Sequence, residues 1–131
     1  MSEPSGSILY TKSKAFALRI VNLCKFLEQE KKEYILSRQV KRSGTSIGAN
    51  LAEAKYGQSV PDFINRLSIA QKEANETRYW LELLYEAKYI ESELAYTSLM
   101  NDLEEIQKML TSSIKTNKKK GKGGSSETHN S

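Results

Sequence analysis

The sequence has few of the residues on which enzyme and metal sites usually depend. Its 131 residues include one histidine, His129, and one cysteine, Cys24. A single cysteine excludes a disulfide within the chain, and the apolar run around it predicts a packed thiol. The di-metal sites of helical bundles need histidines at Glu-x-x-His spacing, which His129 alone does not provide. Nucleotide-binding glycine motifs and nucleophile–base spacings are also missing. We therefore expect a protein that is not an enzyme and needs no cofactor.

Proline and long apolar runs are equally scarce. Pro61 is the one proline within the presumed fold, and alternating β-branched runs are almost absent, which favours a helical over an extended chain. The apolar stretch 15–27 is interrupted by Arg19, Asn22 and Lys25, whereas a membrane-spanning helix needs about 20 apolar residues. No secretory signal is visible. We expect a soluble, cytoplasmic protein with no membrane partner.

Four segments of the chain show apolar residues at alternating steps of three and four. This spacing is typical of helices that pack at shallow angles in a bundle. The first two segments are marked by Phe16, Ile20, Leu23 and Leu27, and by Val40, Gly44, Ile47, Leu51 and Ala54. The other two are marked by Phe63, Leu67, Ala70, Ala74, Thr77, Leu81 and Leu84, and by Leu99, Leu103, Ile106, Leu110 and Ile114.

The residues between these segments predict where helices begin and end. Ser37, Ser59 and Ser92 are candidate N-caps, with Asp62 completing a partial capping box after Ser59. Gly57 is a candidate for closing the second helix. The sequence therefore predicts helices near 9–33, 37–57, 60–89 and 93–116. Because short connections force antiparallel neighbours, the fold class is an all-α, up-down-up-down four-helix bundle over 9–115. The polar ends, 1–8 and 116–131, are predicted to be disordered.

Charge is distributed unevenly along the chain. The net charge of +4 is matched by residues 115–131, which hold five lysines against Glu127. Residues 12–42 carry nine basic side chains against three glutamates, whereas residues 43–114 carry six basic against eleven acidic. Such asymmetry is compatible with polyanion binding, with docking of subunits, or with solvated helix faces. The basic residues singled out for nucleic-acid binding are Lys14, Arg19, Lys25, Lys32, Arg38, Lys41 and Arg42.

Residues 37–57 are patterned like a helix but contain poor helix formers. Gly44 and Gly48 lie in the middle of this segment, among serine and threonine. Each interior glycine costs a helix about 1 kcal/mol relative to alanine. We therefore expect a neighbouring backbone to pack closely against this helix.

The first helix has more apolar surface than one bundle can bury. Ala17, Leu18, Val21 and Cys24 lie outside its core stripe, and a helix that is apolar nearly all round is usually buried on more than one side. The third helix carries a second mixed surface that includes Trp80. Both features predict self-association.

Two runs resemble one known family. These are VKRSGTSIGANLAEA, residues 40–54, and DFINRLSIAQKEANETRYWLELL, residues 62–84. They are similar to the four-helix-bundle proteins first associated with intervening sequences of 23S ribosomal RNA genes. The resemblance covers about residues 8–115. The positions that match the family signature are Ser43, Gly44, Ser46, Gly48, Asn50, Glu53, Glu73, Glu76 and Thr77, and with Trp80 we interpret them as packing and interface residues.

The resemblance implies a homopentameric ring without catalysis. Members are similar to the accessory variability determinant of diversity-generating retroelements, which binds nucleic acid and a reverse transcriptase, so RNA or DNA and a reverse transcriptase are candidate partners. The alternative is a protein-interaction scaffold that does not bind nucleic acid. A third alternative, a metal site built from Glu53, Glu73 and Glu76, is disfavoured because charge pairs explain these carboxylates more simply.

Overall fold

A computed structural model describes the backbone of residues 4–56 and 59–130 and the side chains of residues 8–56 and 59–121. These residues form four helices, α1 (Pro4–Glu30), α2 (Ile35–Ala54), α3 (Val60–Glu86) and α4 (Glu93–Asn130), and no strand among the described ranges. Helices α1 and α3 each pack against both α2 and α4. With short connections between them, this arrangement confirms the predicted all-α four-helix bundle.

The predicted apolar seams form the core of the bundle. All of the marked positions on α2 and α4 are buried, as are those on α1 and α3 except Leu23 and Phe63, which are half-buried. Leu9 and Ile90 join the core at its two ends. Cys24 is fully buried, and its thiol lies 3.3 Å from the carbonyl oxygen of Ser37, to which it donates. Burial raises the pKa of this thiol, as the packed-thiol interpretation requires.

Two of the three predicted N-caps are confirmed. The Ser59 hydroxyl accepts a hydrogen bond from the backbone N–H of Asp62 at 3.3 Å, and Pro61 lies in the first turn of α3. The Ser92 hydroxyl accepts from the N–H of Ala95 at 3.0 Å. Each serine satisfies one of the N–H groups that the first turn of a helix leaves unpaired.

Ser37 does not cap α2, contrary to the prediction. The helix begins two residues earlier, at Ile35, and Ser37 is fully buried within it. The cap is supplied by Glu33, whose Oε1 accepts from the N–H groups of Leu36 at 2.6 Å and Ser37 at 3.0 Å. A carboxylate at this place also interacts favourably with the positive end of the helix dipole. Ser37 instead donates to the Glu28 carboxylate at 2.8 Å, which joins α1 to α2.

Helices α1 and α3 end three residues before their predicted limits. In both cases a lysine in the left-handed region follows the helix, Lys32 with φ 55° and Lys88 with φ 68°. The N–H of Tyr89 then donates to the carbonyl of Leu84 at 2.9 Å, which satisfies an end-of-helix carbonyl. Helix α2 ends at Ala54, and the predicted closing residue, Gly57, lies outside the described residues.

The helices extend into both segments predicted to be disordered. Helix α1 begins at Pro4, a residue type that is well tolerated in a first helical turn. Helix α4 continues beyond residue 116 to Asn130. No proline follows Pro61 to stop it, and Asn117 Nδ2 donates to the carbonyl of Ser113 at 2.8 Å. A Cβ added at Gly121 would lie 3.6 Å from Val60, so α4 passes beside the start of α3 at Gly121.

Candidate interaction surfaces

The inward side of α2 is packed tightly against α1 through its two glycines. A Cβ added at Gly44 would lie 2.9 Å from both Cγ atoms of Ile20, closer than van der Waals contact allows. A Cβ added at Gly48 would lie 3.7 Å from the backbone of Ser13 and Lys14, an ordinary contact distance. The expected close approach of a neighbouring backbone therefore occurs at Gly48 and within the chain, whereas Gly44 makes room for a side chain.

The inward side of α2 meets α3 through a buried pair of hydroxyl groups. Thr77 Oγ1 lies 2.9 Å from Ser43 Oγ and 2.7 Å from the carbonyl oxygen of Glu73, and both side chains are fully buried. Ser43 Oγ also lies 3.4 Å from the carbonyl oxygen of Val40. Every hydroxyl in this pair has a partner, as buried polar groups require. These two signature residues therefore join α2 to α3.

The outward side of the same two helices carries a charged and aromatic cluster. We call Arg42, Glu73, Glu76 and Trp80 the outward cluster. The Arg42 guanidinium pairs with Glu73 at 3.3 Å and also contacts the Glu76 carboxylate. The indole Nε1 of Trp80 donates to the same Glu76 oxygen at 2.9 Å. Arg42 is exposed and the other three are half-buried, so the cluster links α2 to α3 at the surface.

The two donors on Glu76 favour its charged form. The hydrogen bond from Trp80, followed by the interaction with Arg42, lowers the pKa of Glu76 below its usual value. The Glu76 carboxylate raises the pKa of Arg42 in turn. Glu76 and Arg42 are therefore both held in their charged forms, and the carboxylates of Glu73 and Glu76 contact the same guanidinium.

The remaining signature residues lie along the exposed edge of α2. Ser46 Oγ donates to the carbonyl of Arg42 at 2.6 Å, and Asn50 Nδ2 donates to the carbonyl of Ser46 at 2.9 Å. Asn50 Oδ1 accepts from Arg66 of α3 at 3.2 Å. Glu53 is exposed. These polar contacts are local to α2 or to its seam with α3.

Three of the seven basic residues singled out for nucleic-acid binding are neutralised within the chain. Arg19 pairs with Asp102 at 2.6 Å and Lys41 with Glu28 at 3.3 Å, and Arg42 belongs to the outward cluster. The carboxylate partners were missed. The acidic second half of the chain was a signal for Asp102, Glu73 and Glu76, whereas Glu28 lies in the basic first half and had no such signal. The ion pair between Lys12 and Glu105, at 2.8 Å, joins α1 to α4, as the pair between Arg19 and Asp102 does. Basic residues of the first half of the chain are therefore paired with acidic residues of the second half across neighbouring helices.

The other four singled-out residues are exposed. They are Lys14, Lys25, Lys32 and Arg38, and no ion pair joins any of them to a carboxylate in the described part of the chain. Arg38 lies close enough to Glu28 to help lower the pKa of that carboxylate, after its hydrogen bonds from Ser37 and Lys41. Lys32 lies beyond the end of α1, whereas Lys14 and Lys25 lie within the helix and project from the same side of it.

Apolar side chains remain exposed beside these lysines. Leu18 is 62% exposed, Ile8 48% and Phe26 42%, all on the solvent side of α1. Ala17 and Val21 are half-buried. The predicted apolar excess of α1 is therefore confined to its outer side, since Cys24 is absorbed by the core.

The described side chains contain no group of three or more histidine, cysteine, aspartate or glutamate residues placed to hold a metal ion. Glu73 and Glu76 both face Arg42. No helix within the described ranges is long and apolar enough to cross a membrane.

Comparison with known proteins places this architecture in a family. Residues 6–112 match the family described as 23S rRNA-intervening sequence protein. A crystal structure from Bacteroides thetaiotaomicron, described as a protein with unknown function from the S23 ribosomal protein family, is 56% identical in sequence with a TM-score of 0.82. That similarity covers 85% of this chain and 98% of the other. No curated protein matches the chain. The helices that carry the signature residues lie wholly within the matched range, and the chain belongs to the 23S rRNA-intervening sequence protein family.

Proposed function

We propose that the protein is a non-enzymatic, homo-oligomeric four-helix bundle that binds nucleic acid through its basic surface. The observation that carries this proposal is the contrast among the basic residues near α1. Arg19, Lys41 and Arg42 are paired with carboxylates, whereas Lys14 and Lys25 project from α1 without such a partner. When exposed lysines without a carboxylate partner contact phosphates, they displace the counterions that surround the nucleic acid. This displacement gives affinity without sequence preference.

Self-association is supported by two surfaces that a single bundle leaves exposed. One is the outer side of α1 with Leu18 and Phe26. The other is the outward cluster, which contains the protein's one tryptophan beside an arginine. Tryptophan and arginine are the residues that most often dominate protein interfaces. We propose a ring of copies, and the family resemblance makes five the expected number.

Repetition around a ring would multiply the basic surface, because every copy contributes its own exposed lysines. A ring of this kind offers an extended contact for RNA or DNA. By the same resemblance, the role we propose for it is that of an accessory factor to a reverse transcriptase. The role is tested by asking whether a reverse transcriptase is encoded beside this gene and whether it co-purifies with the tagged bundle.

Nucleic-acid binding is tested with the full chain on single-stranded and duplex RNA and DNA over a salt series. In the test variant, Lys14, Lys25 and Lys32 are replaced by glutamine. The matched control replaces Lys72, Lys88 and Lys108, which removes the same charge from α3, the following loop and α4. We expect the test variant to bind more weakly with a smaller salt slope, and the control to bind nearly as the wild type does. An equal loss of affinity in both variants would mean that binding depends on net charge and not on the α1 lysines.

Assembly is tested by measuring the mass in solution. We expect the wild type to be larger than one chain at micromolar concentration, and Trp80→Ala or Leu18→Ser to shift the mass towards the monomer. A monomeric wild type would overturn the oligomer proposal. Exposed Leu94, 83% accessible at the start of α4, provides the matched control as Leu94→Ser, which should leave the mass unchanged.

A protein-interaction scaffold is the second candidate function. The outward cluster favours it, because its Trp80 and Arg42 suit a protein partner better than a phosphate backbone. If the wild type forms rings but shows no salt-dependent binding to any nucleic acid, the result supports the scaffold function and contradicts nucleic-acid binding.

A further inference from the structure

The two ends of the bundle differ in charge. At the end where α2 and α4 finish, residues 8–14, 50–56, 59–66 and 113–121 hold eight basic side chains against two acidic ones. At the other end, residues 25–41 and 82–93 hold six basic side chains against seven acidic ones. Glu105, which pairs with Lys12 at 2.8 Å, adds a third acidic side chain to the first end. The net charge of the first end is therefore +5 and that of the second is −1, so the bundle is electrically polar along its length.

The excess at the basic end comes mainly from the part of α4 that follows Ile114. Lys115, Lys118 and Lys119 are all exposed, and at 100° per residue they fall within an arc of about 100° on the helix surface. We call these three residues the α4 lysine arc. The sequence has no aspartate or glutamate between Glu105 and Glu127. No carboxylate among the described side chains forms an ion pair with any member of the arc.

The chemistry of this region selects among anionic partners. After Ile114 the sequence contains no aliphatic side chain larger than a methylene stem and no Phe, Tyr or Trp, so this part of α4 has no apolar face with which to enter a lipid surface. Protein interfaces are depleted of lysine and rich in aromatic and apolar groups at their centre. Lysines alone on a helix suit a phosphate backbone, which is contacted by charge and carries no sequence information.

We propose that the α4 lysine arc is a phosphate-binding site for nucleic acid, on a different helix from the exposed lysines Lys14 and Lys25 of α1, of which only Lys14 lies at the same end of the bundle. This inference rests on the proposed nucleic-acid binding, and it adds where on the protein the phosphate backbone of the nucleic acid is bound. Lys55, which lies 5.3 Å from the centre of the Tyr10 ring at the same end, extends the positive surface from the end of α2. The arc binds duplex and single strands alike, because it reads no base.

The test compares four full-length proteins on a labelled duplex and a labelled single strand across a salt series. They are the wild type, the glutamine triple variant of the arc, the α1 variant at Lys14, Lys25 and Lys32, and the control at Lys72, Lys88 and Lys108. Each variant removes three positive charges, and its thermal midpoint is measured to show that the fold is intact. We expect the arc variant to bind at least tenfold more weakly and its salt slope on duplex to fall by roughly 2 to 3, since each phosphate contact contributes about 0.9.

The outcomes separate the two proposals. If the arc variant binds like the control while the α1 variant is weakened, the arc is overturned and the proposed function stands. If only the arc variant is weakened, the arc is supported and the α1 lysines are not the site. If the wild type binds neither nucleic acid, both proposals fall. Polyglutamate is the competitor of equal charge, and competition as strong as that of nucleic acid would overturn the phosphate assignment in favour of an acidic protein.

Discussion

The inward and outward sides of α2 carry the same family signature but have different physical roles. The inward side, with Ser43, Gly44 and Gly48, is buried against α1 and α3. The outward side, with Arg42 and Ser46, is at least partly exposed, and Arg42 contacts α3 through its surface ion pair with Glu73. Inward positions have neighbours on every side and determine whether the chain folds. Outward positions are free to meet a partner, so substitutions there should separate assembly from folding.

The largest expected effect comes from filling the space at Gly44. Gly44→Leu places a side chain where even a Cβ lies 2.9 Å from Ile20, and Ile20 is fully buried and β-branched. Overpacking of this kind costs about 3 kcal/mol. Urea unfolding monitored by circular dichroism measures the loss. Ala49→Leu, on the exposed side of the same helix, is the control and should change stability by less than about 0.5 kcal/mol. Similar losses in both variants would remove the distinction between the two sides.

The next effect comes from the buried hydroxyl pair. Thr77→Val keeps the shape of the side chain but deprives Ser43 of its 2.9 Å partner. We expect a loss of about 1 to 2 kcal/mol, the usual penalty for a buried polar group that loses a hydrogen bond. Thr45→Val is the matched control, because the Thr45 hydroxyl bonds only to carbonyls of its own helix. Adding Ser43→Ala to Thr77→Val should give less than the sum of the single losses. Strict additivity would show that the two hydroxyls are not coupled.

Alanine at the two glycines should have opposite effects on stability. At Gly44 the added methyl group must displace Ile20, whereas at Gly48 it meets the α1 backbone at an ordinary 3.7 Å. Replacing a helical glycine by alanine gains up to about 1 kcal/mol where the space exists. We therefore expect Gly48→Ala to raise the thermal midpoint and Gly44→Ala to lower it. A decrease for both would mean that the α1–α2 contact is tighter at Gly48 than its distances indicate.

The smallest effect on folding is expected at the outward cluster. Glu76→Gln removes a partly exposed ion pair, and such pairs contribute less than about 1 kcal/mol. Because Trp80 and Arg42 lower the pKa of Glu76 from the usual value of 4.5, its contribution is present above that value and is lost as the pH falls through the lowered pKa. Stability measured between pH 7 and pH 3 should therefore decrease less in the variant than in the wild type over the acid part of the range.

The same variant also tests whether the outward cluster has a partner. If a second copy binds there, Glu76→Gln should reduce the assembled mass while the midpoint of unfolding at pH 7 hardly moves. Thr77→Val is the comparison, since it lies one residue away on the inward side and should affect stability first. A variant at Glu76 that unfolds easily but assembles normally would contradict the division between the two sides.

Local signals predicted some features of the fold and missed others. The caps at Ser59 and Ser92 were predictable because each serine and the N–H group it binds lie three residues apart in the sequence. The cap of α2 was not, because Ser37 was drawn into the α1–α2 seam by Cys24 and Glu28, thirteen and nine residues away. A lysine in the left-handed region, as at Lys32 and Lys88, has no sequence signal that distinguishes it from an ordinary surface lysine.

The candidate sites show the same limit. The sequence located the basic residues, but Arg19 and Asp102 are 83 positions apart and only the α1–α4 contact reveals that they neutralise each other. The lysines of α4 were visible as a charged tail, and their arrangement within one arc follows only from the helix that continues past residue 116.

The sequence by itself determined the helical class, the four apolar seams and the antiparallel order, because these depend on the 3.6-residue period and on short connections. The tertiary structure decided which signature residues face inward, which charges cancel and which remain exposed. Those properties depend on distances between residues far apart in the chain. Gly44 meets Ile20, Thr77 meets Ser43 and Arg42 meets Glu73, and each of these contacts exists only once the helices are packed.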